Sequence, residues 1–377
     1  MDFGLTREQE MLKGMVREFA EAELAPRANE LDERGEFPLE QVRRTAELGL
    51  VGIVASPEYG GSGMGHLARM MAIEEISRVY PPLGFFLQVA PMGIYILETA
   101  GTEEQKKKYL PALCRAEKFI ATAVTEPTGG SDPAAMQATA RPEGDGWVLN
   151  GRKVFITIGE VADLVVVVAR TGDKFSAFLV EKGTPGFEAP RREKHAGLRS
   201  IPVSELAFTE CRVPRENLVG QEGRGLTVAL SAIAALGRTG VAGVALGVAQ
   251  GCFEAALRFA RERRLYGRPV ADLQAIQFML VDMNVAIEAG RLLAYRAAWL
   301  LDRGASPRDA GADIARAKLY TVYVANDAAA KAVEVLGACG TTPEYHVIRR
   351  LRDGLELLAA AGTQQVMKVI IGGSLVR

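Results

Sequence analysis

Cysteine and histidine are scarce in this chain: 377 residues include four of the first and three of the second. Cys114, Cys211, Cys252 and Cys339 lie far apart and form no C-x-x-C pair. That excludes a disulfide framework and predicts a reducing, cytoplasmic setting with thiols packed as small apolar groups. His66, His195 and His346 lack metal-ligand spacing, so no metal site is expected. Neither sign of charge is in surplus, with Lys+Arg 45 against Asp+Glu 46, whereas a nucleic-acid binder normally shows a basic excess. No dinucleotide or P-loop glycine fingerprint occurs. The opening "MDFGLTREQEML" has no basic stretch ahead of an apolar core, so no secretory leader is expected. The longest apolar run, "VALSAIAALGRTGVAGVALGVAQGCF", carries Arg238 near its middle. A central arginine costs about 2.5–3.5 kcal/mol on membrane-insertion scales, so this run reads as a buried helix, not a membrane span.

Apolar mass is what the chain has in quantity. Hydrophobic residues make up 48% and charged residues 24%, enough for a large core in about two or three packed units. Residues 1–120 read as helical. Leu12, Met15, Val16 and Phe19 form one stripe at i, i+3, i+4 and i+7, behind a capping box of Thr6 and Gln9. A second helix follows through "LEQVRRTAELGL" to Gly49, and helices resume at "HLARMMAIEEISRVY", after Pro91 and at "EEQKKKYLPALC". Residues 121–225 are short β-branched and aromatic runs bounded by Gly, Asp and Pro, as in an antiparallel β domain. "EGDGW" and "LNGRK" offer hairpin-turn chemistry. Residues 226–377 return to long apolar helices, a bundle whose surplus apolar faces call for a second copy of the chain. The fold class is α+β, in the order α, β, α.

Three stretches concentrate polar chemistry. "ATAVTEPTGGSD", residues 121–132, offers backbone N–H groups with Thr125 and Ser131 to a planar ring, or is a polar interdomain loop. "KVFITIG" presents Phe155 for stacking and Thr157 as a donor, or is strand core. "RERRLYGRPVADLQAIQF" places Arg263, suited to a diphosphate, near Tyr266, Gln274 and Phe278, or is a solvated basic helix end.

Together with "EYGGSGMG", "EEISR", "NGRKVFIT", "VSELAFTECRVPRENLVGQEGRG" and "RLLAYRAAWLLDRG", these stretches make the whole chain resemble the acyl-CoA dehydrogenase family. The resemblance implies an N-terminal α-helical domain, a middle β domain, a C-terminal four-helix bundle, bound FAD, and a homotetramer or dimer. It implies an acyl-CoA substrate and an electron-transfer flavoprotein as acceptor. Val124, Thr125, Gly130, Ser131, Phe155 and Thr157 would line the flavin, Phe155 standing where the family usually has Trp. Arg263, Tyr266 and Gln274 would hold the FAD of a neighbouring subunit, and Gly337, Thr363 and Gln365 would also touch the cofactor. Arg238 matches a family arginine near the active site.

The family takes an α-proton from a fatty acyl thioester with a glutamate while hydride leaves Cβ for the flavin. That glutamate usually precedes Gly-Thr. Here "ELLAAAGTQQV", residues 356–366, reads as an Ala-rich helix running into a Gly-Thr turn, with Ala361 at the position. A minority of relatives carry the acid on the helix of Arg238, where this chain has Gly237. Ala361 keeps its backbone N–H for polarising the thioester, but general-base catalysis worth ~10²–10⁴ in rate would be lost. Among substitute bases, Glu356 is turned about 140° from Ala361 on a helix. Gln88 and Tyr95 lie near the acyl-pocket wall, with Tyr a poor base at its ordinary pKa of ~10. Glu98 is a further candidate, and the alternative for each is ordinary packing or a solvated face. The family's usual Gln-x-x-Gly-Gly is here Glu334, Gly337 and Ala338, which predicts weaker FAD binding. The expectation is thus a dehydrogenase-like flavoprotein with an unconventional base. The alternatives are desulfinase-like C–S cleavage and a non-catalytic FAD-binding or scaffold subunit.

Overall fold

The computed structural model describes residues 4–376. Helices α1 (Arg7–Phe19), α2 (Ala28–Arg34), α3 (Leu39–Glu47), α4 (Gly65–Val79), α5 (Pro81–Ala100) and α6 (Glu103–Cys114) come first. The Thr6–Gln9 capping box is formed, and Thr102–Gln105 makes a second one at α6. One expectation fails at α5. The helix starts at Pro81 and runs through Pro91 instead of beginning after it. A proline inside a helix strips the i−4 carbonyl of its donor, here Leu87. The Arg69 guanidinium reaches across from α4 and donates to Leu87 O and Gln88 O at 3.3 and 3.2 Å. Packing of an almost wholly buried helix does the rest.

The middle region contains β1 (Ile120–Ala123), β2 (Thr139–Glu143), β3 (Gly146–Thr157), β4 (Leu164–Thr171), β5 (Lys174–Glu181), β6 (Phe187–Arg192), β7 (Val203–Pro214) and β8 (Leu218–Val219). The strand order is β6-β7-β3-β2-β4-β5-β8, with β1 on β4. The sheet is mainly antiparallel, as expected, but β1–β4 and the single β2–β4 register pair are parallel. "EGDGW" does turn the β2–β3 hairpin. "LNGRK" does not turn the chain: Gly151 sits at a register shift within β3, φ +144°, where a Cβ would lie 2.5 Å from that of Ala138. Glycine is required by that close approach.

The C-terminal region opens with α7 (Gly225–Ala232), a π-helical segment Ile233–Arg238, and α8 (Thr239–Glu262), one continuous rod. Its most apolar stretch is 89% buried within the chain and that of α5 78%, so both length-competent apolar helices are core elements. The π segment was not foreseen. Such a bulge frees carbonyls from the regular ladder, and Arg69 also donates to Leu236 O at 2.9 Å. A small hairpin, β9 (Arg264–Leu265) and β10 (Arg268–Pro269), leads to α9 (Gln274–Asp302), α10 (Gly311–Leu336), α11 (Val347–Glu356) and α12 (Gln364–Leu375). Helices α8, α9 and α10 pack on one another, α11 and α12 close on α10, and α4 and α5 pack against α8. The alanine stretch is a further correction: α11 stops at Glu356, and residues 357–362 form a turn. Cys114, Cys211 and Cys252 are buried thiols, Cys339 is half-buried and all four are unpaired. No metal-holding cluster occurs among the described residues.

Candidate active site

The loop after β1 is tied to β3 by one buried ion pair. Lys153, fully buried, donates to Glu126 Oε1 at 2.7 Å and to Val124 O at 3.0 Å. Glu126 accepts in turn from the backbone N–H groups of Gln137 and Ala138 at 2.6 and 3.0 Å. Burial pulls the Lys153 ammonium down from its ordinary pKa, and Glu126 opposes that pull. Val154 N–H donates to Thr125 O at 2.9 Å. Val124 and Thr125 are thereby placed beside β3, and Gly130 folds back so that a Cβ on it would lie 3.1 Å from Thr125 Cγ2.

A second register shift in β3, between Lys153 and Ile156, aims Phe155 outward. It holds φ +55° and is 59% exposed, between buried Val154 and Ile156. A large apolar ring in a left-handed conformation is strained. The hydroxyls of Thr125, Ser131 and Thr157 make no hydrogen bond among the described residues. An exposed ring, a glycine turn and free donors at one end of a sheet suit a flat heteroaromatic ligand such as a flavin.

Arg263, Tyr266 and Gln274 lie elsewhere, around the β9–β10 hairpin and the start of α9, and all are exposed. Tyr266 is 90% exposed at φ +53°. No hydrogen bond or ion pair joins them to the 124–131 loop. Gly337, φ +60°, ends α10, with Glu334 and Ala338 exposed beside it and Glu334 unpaired among the described residues.

The turn before α12 meets the π segment. Ala361 is at φ +52° and Gly362 at +106°, and Thr363 caps α12 by accepting from Val366 N–H. Gln365 is exposed on the first turn of α12, next to buried Gln364. A Cβ placed on Gly237 would lie 3.4 Å from Ala361 Cβ, 3.1 Å from Met92 Sδ and 3.5 Å from Gln88 Nε2. The two small residues therefore face each other, with α5 forming the wall. Two cations grip the turn. Arg238 Nε donates to Ala361 O at 3.3 Å. Lys318, fully buried on α10, donates to Gly362 O, Leu358 O and Gln364 Oε1 at 2.9, 3.3 and 2.8 Å. Burial, and then the Arg238 charge, push Lys318 down to about 7. Burial likewise lowers Arg238. Neither has a carboxylate partner among the described residues.

The carboxylates of Glu356 and Glu98 are committed elsewhere. Glu356 accepts from Gly197 N–H at 3.1 Å and pairs with His195 Nδ1 at 3.0 Å. It faces away because α11 ends there and not because of a continuing helical angle. Glu98 accepts from Ser56 N–H at 2.8 Å. Burial, then the Glu98 charge, raise Tyr95, which makes it a poorer base still. Lys153, Glu126, Lys318 and Arg69 were missed from the sequence. Lys318 had a signal: Ile314, Lys318, Thr321 and Ala325 form one buried stripe at helical spacing, with a charge in it.

The N-terminal, middle and C-terminal domain families of acyl-CoA dehydrogenases match residues 6–117, 121–211 and 223–376. The chain belongs to the acyl-CoA dehydrogenase family. It is similar to a short-chain-specific acyl-CoA dehydrogenase of Clostridium acetobutylicum, 43% identical over all of both chains. It is 36% identical, over 99% of each chain, to the CarC subunit of the caffeyl-CoA reductase–Etf complex of Acetobacterium woodii. A solved structure of PigA with FAD and proline superimposes with TM-score 0.95 at 29% identity, over 100% of this chain and 99% of that one. The chain is thus a flavoprotein oxidoreductase of a family that binds FAD.

Proposed function

We propose that the chain oxidises an acyl-CoA thioester between Cα and Cβ, in a site with no carboxylate at either of the family's usual seats. The facing of Ala361 and Gly237 carries this reading. Bound FAD supplies the hydride acceptor. Val124, Thr125, Gly130, Ser131, Phe155 and Thr157 would hold its ring, while Gly337, Thr363 and Gln365 would hold the rest of the cofactor. The Ala361 N–H polarises the thioester carbonyl. Arg238, drawing on the other end of that residue through its carbonyl, fixes the direction of the N–H. The buried walls of α5 exclude water from the acyl group.

Restoring the acid tests the reading. Ala361 already adopts a left-handed conformation, so Glu adds no backbone strain there, whereas a side chain on Gly237 must displace Met92. Ala361→Glu should raise dehydrogenase turnover at least about tenfold, with the usual ~10²–10⁴ worth of a well-positioned base as the upper bound. No gain from Ala361→Glu or Gly237→Glu refutes it. A flavin-free protein would favour the scaffold reading.

The chain is also proposed to assemble with copies of itself. Phe278, Val285, Leu292 and Trp299 recur every seven residues along α9, 50–62% exposed, a stripe that an isolated chain leaves in water. A neighbour covering it would bring Arg263, Tyr266 and Gln274 to another subunit's cofactor. Val285→Lys should shift the sedimenting species to a smaller one. An electron-transfer flavoprotein is the proposed acceptor, supported by the complex in which the CarC relative is named.

A further inference from the structure

Phe155 is poorly held by its own sheet. Val154 and Phe155 both fall in the register shift between β3 and β7, so no pairing with β7 fixes a residue kept at φ +55°. The ring that meets it is His195, at an interplanar angle of 76° with centroids 6.4 Å apart. His195 belongs to the irregular stretch between β6 and β7, and α11 of the C-terminal region grips that stretch. Arg352 Nη1 donates to Ala196 O at 3.0 Å. Glu356 Oε1 accepts from Gly197 N–H at 3.1 Å, and Asp353 Oδ1 accepts from Leu198 N–H at 2.7 Å. Three consecutive residues are thus bonded by side chains from one end of one helix. The approach is close: a Cβ on Gly197 would lie 2.2 Å from Arg352 O, so glycine is required there. Glu356 Oε2 lies 3.0 Å from His195 Nδ1 and ties the ring to the same helix. The grip is braced from behind, where Arg352 Nη2 donates to Asp32 Oδ2 at 2.5 Å and Ser200 Oγ meets Tyr80 OH at 2.6 Å. Helix α11 ends at Glu356, and the next residues are the 357–362 turn that carries Ala361. One short helix therefore reaches both the neighbour of Phe155 and the turn of Ala361.

We propose that Arg352, Asp353 and Glu356 are positioning residues for the flavin site: by fixing residues 195–198 they hold the His195 ring against Phe155 and keep Phe155 in register with the Ala361 turn. The inference rests on the reading of Phe155 as a wall of the flavin ring. The three side chains touch neither substrate nor cofactor; they act through His195 on one side and through the backbone of α11 on the other. Glu356 is the member to test. It is half-buried and serves both Gly197 and His195, whereas Asp353 is fully buried and its loss would disturb the fold at large.

The test reads the holoprotein in three ways that need no substrate: hydrogen exchange at the Gly197 and Leu198 amides, FAD release on dilution, and visible circular dichroism of the bound flavin. Glu356→Ala should speed exchange at both amides about tenfold, weaken FAD retention about tenfold, the worth of one hydrogen bond to a charged group, and alter the flavin dichroism. Glu356→Gln should restore most of all three. Its amide oxygen accepts from Gly197 N–H, and its amide N–H suits the other tautomer of His195. A merely structural contact would not move the flavin signal. Asn29→Ala is the control: Asn29 ties α2 to Pro343 O and His346 Nδ1 at 3.0 and 2.7 Å, away from residues 195–198, and its loss should leave the dichroism unchanged. If Glu356→Ala folds poorly, His195→Ala removes the ring contact alone and should reproduce the change in dichroism. Faster exchange with unaltered FAD retention and dichroism overturns the positioning role, and unaltered exchange overturns the grip itself. Phe155→Ala separates the two levels. If it shifts the flavin signals and Glu356→Ala does not, the positioning inference alone fails. If Phe155→Ala leaves them unchanged, the reading of Phe155 as a flavin wall fails and the inference falls with it.

Discussion

Two fully buried lysines organise the two halves of this site, and they are compensated differently. Lys153, on β3, meets the Glu126 carboxylate, which also accepts two backbone N–H groups. Lys318, on α10, meets two carbonyls and an amide oxygen, and the charge that acts on it is another cation, Arg238. The loop assigned to the flavin is a closed electrostatic unit. The turn assigned to the acyl group has positive charge left over. A closed unit fixes geometry by itself; an open one gains a counter-charge from whatever enters.

The sharpest way to break this contrast is to remove each ammonium. Lys153→Met strands Glu126 as an uncompensated buried carboxylate, which costs about 3–5 kcal/mol. Urea unfolding should show that loss, together with weaker retention of the flavin as the 124–138 loop loosens. Lys318→Met strands no charge. It forfeits hydrogen bonds to neutral acceptors, each worth roughly 0.5–1.5 kcal/mol net, and relieves both the burial of a cation and its repulsion by Arg238. The expected cost is smaller, about 1–2 kcal/mol. Equal losses in the two variants would mean that an anion already balances Lys318. The sign of the pH dependence adds a check. A lysine whose folded pKa lies at about 7, below the ordinary 10.5, binds fewer protons folded than unfolded between those values. Stability then rises with pH across that window, and Lys318→Met should flatten the rise.

Much of the scaffold could be read locally. The Thr6–Gln9 cap, the "EGDGW" hairpin and the apolar stripes need only neighbours in sequence. What could not be read depends on residues far away. Pro91 sits inside α5 because Arg69, on another helix, serves the carbonyl that the proline abandons. Alanine favours helix, yet 357–362 is a turn whose carbonyls are held by Lys318 and Arg238. Phe155, Tyr266 and Ala361, each singled out in the sequence, all hold positive φ, a conformation that no propensity predicts for them. The charges at 153 and 318 stood within apolar patterns and were legible in principle, but which of them had a partner was decided by the fold.

A third charged contact, at the entrance to the turn, separates polar fixation from charge shortage on a smaller scale. His195 and Glu356 are both half-buried and bonded at 3.0 Å, and Glu356 also holds Gly197 N–H. The bond to Glu356 raises His195 above its ordinary 6.5 despite burial. For Glu356, burial pulls upward, but the bonds from His195 and the backbone outweigh it, and its pKa falls below 4.5. A raised histidine contributes stability in full below pH 6.5 and loses it as pH climbs through the folded value. A lowered glutamate contributes above pH 4.5 and loses it as pH drops through its own. The pair is therefore worth most between pH 4.5 and 6.5. His195→Asn should destabilise by only ~0.2–1 kcal/mol there, as for a partly solvated ion pair. Unfolding titrations should show that deficit shrinking toward pH 8, a slope opposite to that of Lys318. A deficit independent of pH would mean that His195 serves the turn by packing against Phe155, 6.4 Å away ring to ring, and not by charge.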